Sequence, residues 1–390
     1  MNSPTLRKAL VLSAASVLCA LAIGCDKHEA QPEKDTPSDA GAKAPADDEP
    51  DLAAAVASAR AGRGASDNAP TAGGPPPSGI FGPGEADKAI VKGAPATLTL
   101  AGDGSEPRVQ LGPLKAGTKF SNTITISSQS DPQQGPIPIS FAFSLEAQKP
   151  KSDSDAGAAG PLLVSVKVTG ASINAPGVPP ELNAAIGKLK GSHIEFRVGA
   201  EGAGSNFHID TQKGVDPAFK DALQGLADAL GMLVLPCPSK PVGLGAYWMV
   251  TSRDTLIGLD VVTYRLVKVE KVDGSVVQLS LNTKRYAASP AFDVPGLPPE
   301  APHSMGEFRA QAEGKLELAA GDVFPRNGDF QSVLGAALGD APPPSQNPAA
   351  PKPQRPMVQV QTRVMIGAGL AAKAGLSGAG SAPPGAPAGD

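Results

Sequence analysis

Four side chains with metal-binding chemistry fall at strand spacing in one short region. His193 and Glu195 are two residues apart, and so are His208 and Asp210. Ile194, Phe196 and Val198 alternate with His193, Glu195 and Arg197, so imidazole and carboxylate share the wet face of a strand. Residues 199–204 return the chain toward His208 and Asp210. One hairpin register sets His193 opposite Asp210 and Glu195 opposite His208, and this donor set could ligate Zn²⁺. The same residues equally make charge-complementary cross-strand pairs that need no metal. A slip of one residue destroys the arrangement. The pairs are the commoner case, and no metal ligand, cofactor or catalytic residue is assigned.

Other chemistry is sparse. Cys237, in Leu235-Pro236-Cys237-Pro238, is a candidate thiol with only Lys240 as a cation nearby; a buried apolar role is more common for such a cysteine. No Gly-x-Ser-x-Gly elbow, phosphate loop or dinucleotide fingerprint occurs. Asp103 and Glu106 lie in a Gly-rich turn rather than in an apolar cleft that would shift a carboxyl pKa. The reading is therefore non-enzymatic.

The 390 residues carry a formal charge of −4, so the basic surface that nucleic acid requires is missing. Gly (45) and Pro (41) are abundant and aromatics make only 4%, which places a smaller core among long irregular stretches. After residue 25 no apolar run approaches the roughly 20 residues that span a bilayer.

The elements that must position these groups are mostly strands. Period-two runs occur at 120–128, 139–145, 164–168, 194–198, 308–318 and 358–366. Residues 256–269 are apolar on both faces, with Val262, Tyr264 and Leu266 on one and Val261, Val267 and Val269 on the other. Asp273-Gly274 is a hairpin signal before Val277, Leu279 and Leu281. Two amphipathic helices interrupt the strands. One spans 216–230, capped by Asp216, entered by Pro217 and ended by Gly231; the other spans 180–189. Both need a sheet to cover one apolar stripe. On the first, Phe219, Leu223, Leu226 and Leu230 share a face that could line an apolar pocket against Phe196 and Val198, or fill the interior completely.

The N-terminus has the order of an export signal, with Arg7 and Lys8 followed by apolar residues 9–24. Its end, Leu21-Ala22-Ile23-Gly24-Cys25, resembles the bacterial lipobox, with Ala22 where leucine is commoner. The resemblance implies cleavage after Gly24 and an acylated Cys25, whose acyl chains anchor the protein to a membrane. It also implies export to the cell envelope; Asp26 leaves inner and outer membrane open. Residues 26–79 hold ten acids, five bases and no aromatic, a composition that cannot bury enough surface to offset its ordering entropy. The expected organisation is a signal at 1–24, a disordered tether at 25–95 and one β-rich domain at 96–370. That domain carries Pro/Gly-rich loops at 152–160, 287–304 and 339–356, and a disordered tail follows at 371–390.

The expected fold is α+β: a strongly curved antiparallel sheet, or half-open barrel, with both helices on its concave side. In this it resembles the outer-membrane lipoprotein carriers and the mycobacterial lipoglycan-carrying lipoproteins. Residues 238–248, Pro-Ser-Lys-Pro-Val-Gly-Leu-Gly-Ala-Tyr-Trp, are similar to the signature of an uncharacterised family of exported bacterial β-rich proteins. That resemblance implies architecture and a core role for Trp248, with no catalytic residue. The expected function is a non-catalytic, membrane-anchored lipoprotein binding an apolar or lipid-like ligand between sheet and helices. The alternative is a structural or protein-interaction component of the envelope with a filled core, and the third reading is a hydrolase or metal enzyme.

Overall fold

Alternation of apolar and polar residues produces most of this molecule. In the computed structural model, residues 76–367 are described, apart from 113, 131–134, 150–160, 200–201, 217–218, 257, 293–302, 321, 323 and 340–356. The expected signal, Cys25, the loop at 152–160, Pro217 and the tail at 371–390 lie outside the described residues, as do most of the loop at 339–356 and of the tether.

Fourteen strands form among the described residues: β1 Thr97–Gly102, β2 Ser105–Val109, β3 Lys119–Gln129, β4 Ile137–Gln148, β5 Leu162–Ile173, β6 His193–Val198, β7 Gly204–Asp210, β8 Val242–Leu244, β9 Tyr247–Leu256, β10 Leu259–Asp273, β11 Val276–Ala287, β12 Met305–Ala319, β13 Asn327–Leu338 and β14 Met357–Ile366. Twelve of them build one sheet in the order β1-β9-β10-β11-β12-β13-β14-β3-β4-β5-β6-β7, and β2 pairs with β8. Every pairing between these strands is antiparallel. With three helices among the described residues, α1 Glu85–Ala89, α2 Pro180–Gly187 and α3 Lys220–Leu233, the class is α+β and β-rich.

The hairpins follow local chemistry. Asp273 pairs with Val276 across Gly274-Ser275, and Gly274 takes φ 58° at the first central position, where a left-handed residue matches the twist of the strands. The run at 256–269 is not one strand. Leu256 closes β9 and pairs with Leu259, because Gly258 at φ 81° turns the chain there. Strand β13 had no clear sequence signal, since its Gly and Ala residues blur the alternation.

Helix α3 departs from its expected 216–230 span. It starts at Lys220 behind Phe219 and runs through Gly231 to Leu233. A mid-helix glycine costs about 1 kcal/mol. Burying Leu233 outweighs that, and Gly231 faces the Phe207 ring, where a Cβ would sit 3.4 Å away. Helix α2 ends at Gly187, two residues short of expectation, but Leu189 is still fully buried in the following turn. Helix α3 lies against β7 and β3, and α2 lies against β5.

The tether does not extend to residue 95. Ile80 bridges to Ala287, the Phe81 amide donates to the Ala287 carbonyl at 2.9 Å, and Phe81, Ala86 and Ile90 are buried against Met249, Val262, Tyr264 and Leu266. The physical reason lies in β10, which is apolar on both faces and therefore needs a cover on each. The loop at 287–304 is likewise closed at its base, where Ala291 bridges Ser304 and Phe292 is buried. Among the described residues no helix is long and apolar enough to cross a membrane.

Candidate functional site

The histidine hairpin has the anticipated register: His193 pairs with Asp210 and Glu195 with His208. Glu195, His208 and Asp210 are exposed, and a bulge follows, with Asn206 at φ 56°. Among the described residues no group of three or more His, Cys, Asp or Glu side chains converges for a metal ion. What the register makes here is two solvated cross-strand pairs, an arrangement of small energetic weight.

The six apolar residues come together as expected. Phe196, Val198, Phe219, Leu223, Leu226 and Leu230 belong to one buried cluster, which also takes in Trp248. Leu223, Leu226 and Leu230 have 0% exposure. A side chain with no accessible surface meets protein on every side, so these leucines fill the interior here rather than line an open space. Trp248 anchors the same cluster, and its Nε1 donates to the Pro236 carbonyl at 3.0 Å. The strand before it is closely packed: a Cβ on Gly243 would lie 1.7 Å from the Ser105 carbonyl oxygen, so only glycine fits beside β2.

Cys237 is partly buried, with Sγ donating to the Leu235 carbonyl at 3.5 Å. Burial pushes its thiol up to about 12. Almost none of it is thiolate at neutral pH, which removes the nucleophile that cysteine chemistry needs.

The chemistry that the structure does assemble lies on β10 and β11. Thr263 pairs with Arg285, and Arg265 pairs with Thr283. Residues directly opposite across such a ladder hold their Cβ atoms about 5 Å apart, so the four form a two-by-two checkerboard. All four are buried, with exposures of 1% for Thr263, 7% for Arg265, 0% for Thr283 and 8% for Arg285. The quartet interrupts an otherwise apolar face. On one side along the strands are Val267, Val269, Leu279 and Leu281 of the main core; on the other are Val261 and Ala287 of a second apolar cluster. The interruption continues across the sheet. On β9 the face carries Ser252 opposite Thr263, Val250 opposite Arg265 and Asp254 opposite Val261, and on β12 it carries Ala310 and Ala312. Ser332, Thr362 and Ser128 extend the same row across β13, β14 and β3.

The arginines are poorly compensated. Arg265 Nε and the hydroxyls of Thr263 and Thr283 are buried without a hydrogen-bond partner. Among the described residues no carboxylate approaches either guanidinium within 4.0 Å. Burial holds Arg265 down to about 10, the neighbouring Arg285 adds to this, and Asp254 opposes it. Arg285 is also lowered by burial, against the pull of Asp254 and of Asp228 on α3. Asp228 is raised by burial, while a hydrogen bond from Gln224 at 2.9 Å and the charge of Arg285 act the other way. The arrangement can donate to an anion from four side chains in a dry setting.

Sequence reasoning missed this quartet, although a signal was present. The apolar faces Val261, Val267, Val269 and Val277, Leu279, Leu281 each run into a Thr and an Arg at in-register positions. No protein-family model matches the chain, and no curated protein shows significant similarity to it.

Proposed function

We propose that this chain is an exported lipoprotein, anchored through acylated Cys25, whose β-rich domain binds an apolar or lipid-like ligand without catalysis. In this reading the sheet is a half-open barrel with α2 and α3 on its concave side, as in the lipoprotein carriers and lipoglycan-carrying lipoproteins that the element order resembles. One observation supports a ligand: two arginines are buried between two apolar clusters of the same sheet face, where Arg265 Nε and the hydroxyls of Thr263 and Thr283 have no hydrogen-bond partner. A folded chain that needed no ligand would gain by replacing them with apolar residues, since an uncompensated buried charge costs several kcal/mol. A polar seam flanked by apolar surface suits an amphiphile. The second reading, an envelope component with a filled core, draws support from the complete burial of Leu223, Leu226 and Leu230.

The test compares wild type with Cys25→Ser. The wild type should fractionate with membranes and carry acyl label; the variant should be soluble and unlabelled. Native mass spectrometry of the soluble variant should then show a non-covalently bound amphiphile. Label that persists in the variant removes the anchor. A soluble variant free of any adduct favours the filled core.

A further inference from the structure

We infer that Arg265, Arg285, Thr263 and Thr283 form a binding site for one phosphoryl group. The inference deepens the binding-module reading above, rests on it for the existence of a ligand, and names the chemistry that the ligand must present.

The geometry points to an oxyanion first. Two guanidinium groups on diagonal positions of adjacent strands repel each other, and both are more than nine-tenths buried. Nothing within the described chain neutralises them at ion-pair distance. The two nearby carboxylates already have other partners: Asp254 accepts from Ser252 Oγ at 2.6 Å, and Asp228 accepts from Gln224. A buried donor that is left unmade costs more than a made hydrogen bond returns. Three such atoms, from three different residues, occupy one small checkerboard. Native interiors rarely leave several unsatisfied groups side by side, and a water or an ion is among the partners that can complete them.

The count and character of the donors then select the anion. A carboxylate has two oxygens and one charge, so it would occupy one guanidinium fork and leave the second arginine uncompensated. A phosphate monoester carries a charge of about −1.5 to −2 and three free oxygens. It can accept from both forks and still receive both threonine hydroxyls. Arginine is suited to this role because its planar fork matches phosphate geometry and stays charged. On β12 the facing residues are small, Ala310 opposite Arg285 and Ala312 opposite Thr283; the quartet itself is closed, so the side chains that cover it must part to admit the group.

The same phosphoryl group could belong to an anionic lipid headgroup or to free phosphate, and the experiment separates these sources. The full-length Cys25→Ser chain is titrated with inorganic phosphate, dihexanoyl phosphatidate, neutral dihexanoylglycerol and acetate at constant ionic strength, with the melting temperature as readout. Saturable stabilisation by a phosphoryl probe should raise Tm by about 5 °C at a hundredfold excess over Kd. Arg265→Leu and Arg285→Leu should each weaken that probe by about 10- to 100-fold, and Thr283→Val, which keeps the side-chain shape, should weaken it by several-fold. A response to phosphatidate alone, or to phosphatidate and phosphate together, supports the site with a lipid as its source. A response to inorganic phosphate alone supports the site while removing the lipid-like ligand of the broader reading. The inference is overturned if acetate works as well as phosphate, if neither phosphoryl probe acts, or if the response survives in the arginine variants.

Discussion

Replacing Arg265 with leucine should make the protein more stable. In the folded chain its guanidinium is held down to about 10, well below its ordinary value, chiefly by burial and then by Arg285. A lowered pKa on a base means that the folded state binds its proton less tightly than the unfolded state does. Below pH 10 both states are charged, and folding carries the full cost of holding that charge. The gap corresponds to about 3 kcal/mol at neutral pH, a cost that would fade as pH rises from about 10 toward the ordinary arginine value. Leucine removes the charge and the orphaned Nε, and fills part of the same volume between Thr263 and Val267. Some packing is lost, since arginine is longer, so the net gain should be about 2 kcal/mol, or roughly 5 °C in Tm. Urea unfolding and calorimetry of the full-length Cys25→Ser chain in phosphate-free buffer, with and without Arg265→Leu, measure it. A loss of 1 kcal/mol or more in the variant would refute the reasoning, because it would mean that the guanidinium makes compensating contacts in the folded protein. A gain, joined to loss of ligand response, would be the usual trade of stability for function at a binding site.

Three further outcomes follow from the packing. Gly243→Ala should cost about 2 kcal/mol and separate β2 from β8, because its Cβ would collide with the Ser105 carbonyl; urea midpoints check this. Trp248→Ala should cost about 4 kcal/mol, since it empties a fully buried site and orphans the Pro236 carbonyl; its midpoint should fall well below that of Trp248→Phe. The strap at 80–95 should loosen in acid: burial acts to raise Asp260, but hydrogen bonds from Arg253 and Lys92 outweigh it and hold the carboxyl below 3.8. That stabilisation is complete above 3.8 and is lost as pH falls through the lower folded value, so pepsin should begin to cut between residues 80 and 95 only near the acid end, and Asp260→Asn should be cut throughout its working range.

Legibility varied with how local the cause was. Strands such as β4, β6 and β14 were readable because neighbouring residues alternate, and the His193–Asp210 and Glu195–His208 pairs followed from a short hairpin. The end of the tether was misplaced because Phe81 and Ile90 are isolated apolar residues whose value depends on the uncovered face of β10, some 180 residues away in the chain. The end of α3 was misplaced because Gly231 is a good stop signal locally, yet Leu233 has a buried place only in the assembled core.

By itself, the order of residues determined the class of this protein: a β-rich chain with few helices, because period-two patterning acts over a few residues and needs no distant partner. Only the tertiary structure decided where the chemistry lies. Arg265 and Arg285 read singly as ordinary strand residues; the register between β10 and β11 sets them on one face, and the surrounding apolar clusters remove the water that would have solvated them. Charge is costly to leave uncompensated there because those residues are buried, and burial is a property of the assembled sheet rather than of any segment.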